Sequence, residues 1–431
     1  MLMSESFKKS TRISETCFIR DRKISFTNTM VFTLRSACKT LSVETDEFFQ
    51  RFCNTESPPS KQAVSQARLK INHRGFQKID DTILETYYEE RYKTYKGYRL
   101  LASDGSMIQL PTGAEMTKEF GTNNKQPDSF NSGRSLMIYD VLNNMIVASK
   151  LYPCASSERS CLVDQIESMH REGKQRRDLI IADRGFPSLP LLARMKQAQA
   201  DFLIRYNGEH FLREMNAFAS STKSEQIVEV SLREPGSRQE SGELQELLAE
   251  GAEPTIKLRI VKVRLKTGEI EYLVTSILDK TILTKHDLQK IYRLRWDIEE
   301  QFKSLKNTME LENFSGKTVE TMLQEYYSKM VIYNLHSTLV QEAQKELDGR
   351  VKQKSGEKKY RQYRINENVS YGLVRNRITE LFGQDNGNWE EAYDYLLKAV
   401  QRNPIPVRPD RNYERKKKYT VKFPITRRRA V

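Results

Sequence analysis

The sequence predicts a multi-domain α/β protein. Three observations lead there. Strands and helices alternate from about residue 98 to 206, helical sequence lies on both sides, and a second strand-rich block interrupts the pattern between about 207 and 283. The chain has 431 residues, which at roughly 150 per domain allows two to four domains and a large core. Hydrophobic residues make up 38% and charged residues 30%, with a mean hydropathy of −0.67. No apolar run approaches the roughly 18 residues of a spanning helix, so a membrane protein is excluded. The net charge of +14 and pI near 9.3 favour a polyanionic partner, because basic side chains release counterions from phosphates. The 5 cysteines (Cys17, Cys38, Cys53, Cys154, Cys161) are scattered and form no CxxC pair. That excludes a disulfide framework and a structural zinc site, and leaves buried free thiols.

Residues 1–95 read as helical. Within them, Pro58-Pro59-Ser60 stops one element and caps the next. Ala63, Val64, Ala67 and Ile71 then recur at helical spacing. The remaining positions carry Lys61, Gln62, Ser65, Gln66, Arg68 and Lys70. A short helix with small apolar residues inside and Gln, Ser, Arg and Lys outside suits a major groove. The plainer alternative is an amphipathic helix with a solvated face.

From residue 98 the pattern changes. A β-rich run over 98–103 ends at Asp104-Gly105-Ser106, a turn signal, and continues at 107–110. Runs at 135–141 and 145–151 flank Asn143-Asn144, a hairpin signal. A helix is expected at 157–170, with Leu162, Ile166 and Met169 on one side. A short buried strand at 178–182 ends at Asp183-Arg184-Gly185. A helix at 189–199 and a strand at 201–206 follow. Three strands, a helix, a strand, a helix and a strand is the order of an RNase H-like domain, and the helices supply the crossovers that parallel strands need. Strands at 226–232, 256–265 and 270–278 make the inserted block, and the acidic stretch 240–253 reads as an exposed linker. Thr284 and Asp287 match a capping box and restart helical sequence. From about 318 the chain is mainly helical, and it ends in a basic tail that includes Arg408, Arg411, Lys422 and the residues at 415–418 and 427–429. With its prolines and few apolar residues, the tail is expected to be extended without a partner.

Two features carry chemistry. Asp104 and Asp183 both stand where an expected strand meets a turn, and strand ends in an α/β sheet are where sites form. The helix after Thr284 carries Tyr292, Arg295, Glu299 and Lys306. At about 100° per residue these four fall within roughly 60° of one another, so one face holds a carboxylate flanked by a phenol, a guanidinium and an ammonium. Phosphodiester cleavage by two metal ions needs carboxylates for the metals, which stabilise the attacking and leaving oxygens. Arg295 and Lys306 then suit a phosphate backbone, and Tyr292 a phosphate or base. Taken singly, each aspartate is an ordinary turn residue and Glu299 an ordinary solvated helix residue. Taken together, in this order, they make an acidic triad.

The stretch from Tyr292 to Lys306 resembles the YREK signature, Y-x2-R-x3-E-x6-K, of DDE transposases of the insertion-sequence-four family. Leu311-Glu-Asn-Phe-Ser-Gly-Lys317 resembles the segment that follows it, while Asp104-Gly105-Ser106 and Asp183-Arg184-Gly185-Phe186 resemble the two aspartate motifs. The likeness covers roughly residues 60–340. It implies an RNase H-like catalytic core with a β-strand insertion between the second aspartate and the glutamate. It implies metal ligation by Asp104, Asp183 and Glu299, with Mg²⁺ as the physiological metal and Mn²⁺ as a substitute. It implies DNA contacts by Tyr292, Arg295 and Lys306. Some relatives stack a flipped base on a tryptophan of the insertion, but here the tryptophans are Trp296 and Trp389. Phe202, Tyr206, Phe211 or Tyr272 are the available substitutes. Trp296 is expected to pack its helix on the sheet.

The expected organisation is a helical DNA-binding region at 1–95, an RNase H-like DDE catalytic domain at 96–340 and a helical C-terminal region with a basic tail at 341–431. In the first of these, Lys61, Gln62, Ser65, Gln66 and Arg68 are the candidate DNA readers. The expected activity is binding of terminal inverted repeats, metal-dependent cleavage and strand transfer into target DNA, by a homodimer on DNA. The alternatives are a nuclease or resolvase on the same core without strand transfer, and a non-catalytic DNA-binding descendant. The polar first 23 residues lack the apolar stretch of a secretory signal, so a cytoplasmic protein is expected, on the nucleoid when bound to DNA.

Overall fold

The computed structural model describes residues 1–20, 23–35, 40–89, 92–123, 130–173, 176–206, 213–234, 238–265, 268–353, 362–382 and 389–407. Cys38, Phe211 and the basic tail from 408 lie outside these residues. Five helices open the chain: α1 (Glu5–Thr11), α2 (Phe26–Arg35), α3 (Leu41–Arg51), α4 (Lys61–Arg68) and α5 (Arg74–Glu89). Next come β1 (Arg99–Gln109), α6 (Ala114–Phe120), β2 (Thr122–Asn123), β3 (Phe130–Asp140) and β4 (Met145–Pro153). They are followed by α7 (Glu158–Arg171), β5 (Asp178–Ala182), α8 (Leu189–Gln197) and β6 (Asp201–Tyr206). The inserted block is α9 (Arg213–Ser220), β7 (Glu225–Ser231), α10 (Arg238–Ala249), β8 (Thr255–Arg264) and β9 (Ile270–Thr275). The chain continues through α11 (Lys285–Arg293), α12 (Trp296–Asn307), α13 (Val319–Gln353), β10 (Tyr363–Arg364), α14 (Glu367–Leu381), α15 (Trp389–Val400) and β11 (Ile405–Pro406). Among the described residues no helix is long and apolar enough to cross a membrane.

The chain forms two compact units. The first comprises Met1–Glu90, Gln109–Asn131 and Ser304–Val431; the second comprises Arg91–Ile108 and Ser132–Lys303. In the first unit α2 and α5 pack on the long α13, which also receives α14 and α15. Leu339, Ala343 and Leu347 of α13 meet Ile365, Val374, Leu396 and Val400 in one apolar cluster. The expected boundaries at 95 and 340 therefore do not coincide with this division. Helices from both ends of the chain share one core, because α13 offers them a common surface on which to bury their apolar residues. In α4, the Ser60 hydroxyl caps the helix by accepting from the Ala63 N–H at 3.2 Å.

The second unit is a mixed sheet with helices. Its strands run in the order β4-β3-β1-β5-β6-β9-β8-β7. β1, β5 and β6 are parallel neighbours, and α7 and α8 make the connections that parallel pairing requires. β5 is buried along its whole length, as expected of a short apolar strand covered on both faces. β3 and β4 form the antiparallel hairpin at Asn143-Asn144, where Asn144 adopts a positive φ of 52°.

Three expectations need correction here. The Asp104-Gly105-Ser106 signal makes no turn: β1 runs unbroken from Arg99 to Gln109. The acidic stretch 240–253 is not an exposed linker, since most of it forms α10, whose Leu244 and Leu247 are fully buried and which packs on α8. Finally, the single helix expected after Thr284 is two. α11 ends at Arg293, and the links through Leu294 and Arg295 are tight three-residue bonds from Leu294 N–H to Ile291 O, Arg295 N–H to Tyr292 O and Ile298 N–H to Arg295 O. The capping box at Thr284 and Asp287 is present. The inserted strands do not stand apart from the sheet: β9 pairs antiparallel with β6, and β8 and β7 extend it.

Candidate active site

The second unit gathers Asp104, Asp183, Tyr292, Arg295 and Glu299. The parallel register of β1 on β5 pairs Ala102 with Ile181. Two residues further along the chain stand Asp104, still within β1, and Asp183, one residue beyond β5, so adjacent parallel strands lead to the two carboxylates. Asp183 lies just past the end of β5, in a turn closed by the Phe186 N–H donating to its carbonyl. The Tyr292 hydroxyl donates to Asp183 Oδ1 at 3.0 Å. Burial and the nearby Asp183 charge push that phenol well above its ordinary range.

Arg295 is the hub. Its side chain is buried, with Nη2 donating to Glu299 Oε1 at 2.9 Å and Nε standing 4.0 Å from Asp183 Oδ1. Burial opposes its charge, but Asp183, Tyr292 and Glu299 outweigh that and hold the guanidinium firmly protonated. Its planar group lies 4.6 Å from the Trp296 ring centre. Trp296 itself is 51% exposed, which corrects the expectation that it packs α12 on the sheet. The break before α12 leaves the indole outside, where it flanks Arg295 instead. Asp104 is half-buried, and burial pushes its carboxyl up to about 6. The Gly105 N–H and the Arg295 charge pull it down, while Glu158 and Glu299 add to the rise. Asp104 thus sits within the field of both Arg295 and Glu299.

Once this geometry is set beside known proteins, the family profile described as Transposase DDE domain matches residues 95–335, more than half of the chain. The chain belongs to the DDE transposase family. It is 21% identical over 358 residues to Transposase InsG for insertion sequence element IS4 of Escherichia coli (strain K12), covering 82% of this chain and 75% of that protein. That relative and the Tyr292, Arg295, Glu299 and Lys306 signature agree on the insertion-sequence-four type. Among solved structures, the chain is similar to a piggyBac transposase synaptic complex with hairpin DNA, with a TM-score of 0.43 and 12% identity over 94% of this chain and 82% of that one. It is also similar to a Mos1 transposase paired-end complex with left transposon end, with a TM-score of 0.18 and 10% identity over 44% and 61% of the two chains.

The remaining candidates fall into three groups. Lys306 lies further along α12, in the first unit, where its ammonium stands 3.5 Å from Glu312. The single-face argument that grouped it with Tyr292 fails at the helix break. On α4, also in the first unit, Lys61, Gln62 and Gln66 are exposed and Ser65 is half-buried. Gln66 and Lys70 line a cavity of about 840 Å³ that also contains Arg20, Lys23, Phe18 and Ile19. Arg68 does not belong with them. It is 4% exposed and pairs with the buried Glu325 at 2.8 Å, while also donating to the Thr321 carbonyl at 2.8 Å. Of the aromatic substitutes for an insertion tryptophan, Phe202 and Tyr206 are buried in the sheet and unavailable for stacking; Tyr272 is half-buried against Tyr206.

Sequence reasoning missed Glu158 and Arg134. Glu158 opens α7 behind the Ser157 cap, and its Oε1 lies 2.5 Å from Arg134 Nη1. The helix was expected from about 157, but nothing in its sequence gave a reason to connect Glu158 with Asp104. Among the described residues, no three His, Cys, Asp or Glu side chains converge as a metal cage. The donor chemistry still fits a hard divalent cation, since every candidate ligand is a carboxylate.

Proposed function

We propose that this transposase binds the terminal inverted repeats of an insertion sequence, hydrolyses a phosphodiester to free a 3′-hydroxyl and joins that end to target DNA. The observation that carries the reading is that Tyr292 and Arg295 tie Asp183 to Glu299, with Asp104 within the field of Arg295 and Glu299. The strand order β4-β3-β1-β5-β6 with helical crossovers supports an RNase H-like core. Asp104, Asp183 and Glu299 would hold Mg²⁺, with Mn²⁺ as a substitute. That cation would neutralise phosphate charge and sharpen the attacking oxygen. Glu299 already accepts from Arg295 at 2.9 Å, so the guanidinium would hold the carboxylate oriented beside Asp183 and would itself stand near a bound phosphate.

The chain's own residues do the rest. Tyr292 fixes the rotamer of Asp183 by donating to one of its oxygens. Arg295, flanked by Trp296, presents permanent positive charge to the pentavalent phosphorus. In hydrolysis a water oxygen bonds phosphorus and the P–O3′ bond breaks, leaving a 3′-hydroxyl and a 5′-phosphate. In joining, the 3′-oxygen bonds a target phosphorus and releases a target 3′-oxygen; the attacking hydroxyl loses its proton and the leaving oxygen gains one. Lys61, Gln62, Ser65 and Gln66 read the repeats, Lys306 supports the backbone, and a homodimer brings two ends together. The N-terminal helical region recognises the repeats, and the basic C-terminal region adds backbone affinity or partner contacts.

The test is an assay with precut inverted-repeat ends, plasmid target and Mg²⁺. Joined products are expected, and Glu299→Gln should abolish them while sparing DNA binding. Cleavage without joining would favour a nuclease or resolvase. Activity that persists in Glu299→Gln would refute the site.

A further inference from the structure

Two glycines follow the catalytic aspartates: Gly105 directly after Asp104, and Gly185 two residues after Asp183. Neither has a positive φ, so backbone conformation does not demand them. Space does. A Cβ on Gly105 would lie 2.9 Å from Glu158 Cγ and Oε1 and 3.0 Å from its Cδ. A Cβ on Gly185 would lie 4.0 Å from the other oxygen of the same carboxylate, Oε2. One side chain therefore occupies the gap between both aspartate-bearing segments. Its neighbour reinforces the link, because Arg159 Nε donates to the Gly185 carbonyl at 3.2 Å. Arg134, from β3, holds Glu158 Oε1 at 2.5 Å.

We propose that Glu158, clamped by Arg134 and assisted by Arg159, is a positioning residue: a wedge at the start of α7 that fixes the separation of Asp104 and Asp183. The device is built from three adjacent elements. β3 supplies the counter-charge, the first turn of α7 supplies the wedge, and β1 supplies the seat at Gly105, with Gly185 at van der Waals distance on the other side. Glu158 acts through the aspartates and touches no reacting atom. The proposal rests on the functional reading above only for what the spacing is used for; the wedge itself is a property of the fold.

Hydrogen exchange measured by mass spectrometry on the full chain tests the wedge without DNA or metal. In Glu158→Ala, the segments around 104–106 and 184–186 should both exchange roughly tenfold faster, as expected when the side chain packed between them is lost. Other strands of the sheet should keep their protection. Faster exchange in one segment alone, or in neither, would overturn the proposal. Should Glu158→Ala fail to fold, Glu158→Gln retains the bulk but weakens the pair with Arg134, and a smaller rise in both segments is expected.

Mn²⁺ titration by calorimetry then reads the consequence. Gly105→Ala and Glu158→Ala should each weaken binding about tenfold, and the double variant should be no worse than Glu158→Ala alone, because the added methyl fills the vacated space. Multiplying defects would show that Gly105 serves something other than Glu158 and would sink the wedge. If the unaltered protein binds no Mn²⁺ and cuts no DNA, the functional reading fails, while the exchange result still decides the wedge.

Discussion

Replacing Arg68 by Met tests the most consequential correction to the sequence reading. Arg68 and Glu325 are 4% and 1% exposed and 2.8 Å apart. The guanidinium also bonds the Ser315 hydroxyl at 3.0 Å, the Thr321 carbonyl at 2.8 Å and Gln324 Oε1 at 3.4 Å. Glu325 in turn accepts from the Ser315 N–H at 2.7 Å. Removing the cation leaves a buried carboxylate without its counter-charge, held by hydrogen bonds that include those from the Ser315 N–H and hydroxyl, a loss of about 3–5 kcal/mol. For a unit of this size each kcal/mol moves the melting temperature by roughly 2–4 °C, so a fall of roughly 6–20 °C is expected. Arg68→Met/Glu325→Met removes both charges and should recover most of that loss. The assays are thermal denaturation and, in parallel, binding to inverted-repeat DNA. A variant that melts like the parent yet loses DNA affinity would refute the reasoning and return Arg68 to the DNA-reading face.

Three further outcomes are expected. Tyr292→Phe removes one hydrogen bond to Asp183, worth about 1 kcal/mol, so cleavage should slow by roughly 5- to 10-fold; a loss beyond roughly 1,000-fold in single-turnover assays would mean that the phenol meets DNA directly. His336 donates Nε2–H to Ser370 Oγ at 2.7 Å, because the Ser370 proton is already given to the Glu367 carbonyl. Burial lowers its pKa from 6.5 to about 4, so the neutral ring contributes stability that is complete above 6.5 and lost as pH falls through 4. The loss is about 3 kcal/mol across that window; denaturant melts at pH 7 and 4.5 should show it, and His336→Gln should remove the step. Leu247→Ala in α10 should cost about 2–5 kcal/mol in the same melts, whereas no change would support the exposed linker first expected there.

Strand type and order were legible because β5 and β6 are short, apolar and bounded by turn residues, and because Asn143-Asn144 carries a left-handed signal. Asp104-Gly105-Ser106 misled for a physical reason. A glycine placed for close approach looks the same in sequence as one placed for a turn, and only the seat it offers Glu158 distinguishes them. α10 was hidden by its composition, since two buried leucines among glutamates read as solvated chain. The helix break at Leu294 has no proline or glycine to announce it. Of the site, Asp183, Tyr292, Arg295 and Glu299 could be found by spacing and resemblance. Arg68 could not be separated from its exposed neighbours, because its partners lie some 250 positions away in sequence.

Among the described residues, the outermost strand β7 has β8 as its single sheet neighbour and exposes Ile227 at 46%. An unpaired edge of that kind invites another copy to add itself. The antiparallel register that would bring two Ile227 side chains face to face also sets Glu225 of each copy against Glu229 of the other. Like charges directly opposed weaken such a pairing. Glu225 is further committed to Arg259 at 2.8 Å and Lys280 at 3.3 Å inside its own chain. With Glu225 held by its own Arg259 and Lys280, Glu229 carries the negative charge exposed at this edge, and a second copy joining here would have to bury that carboxylate.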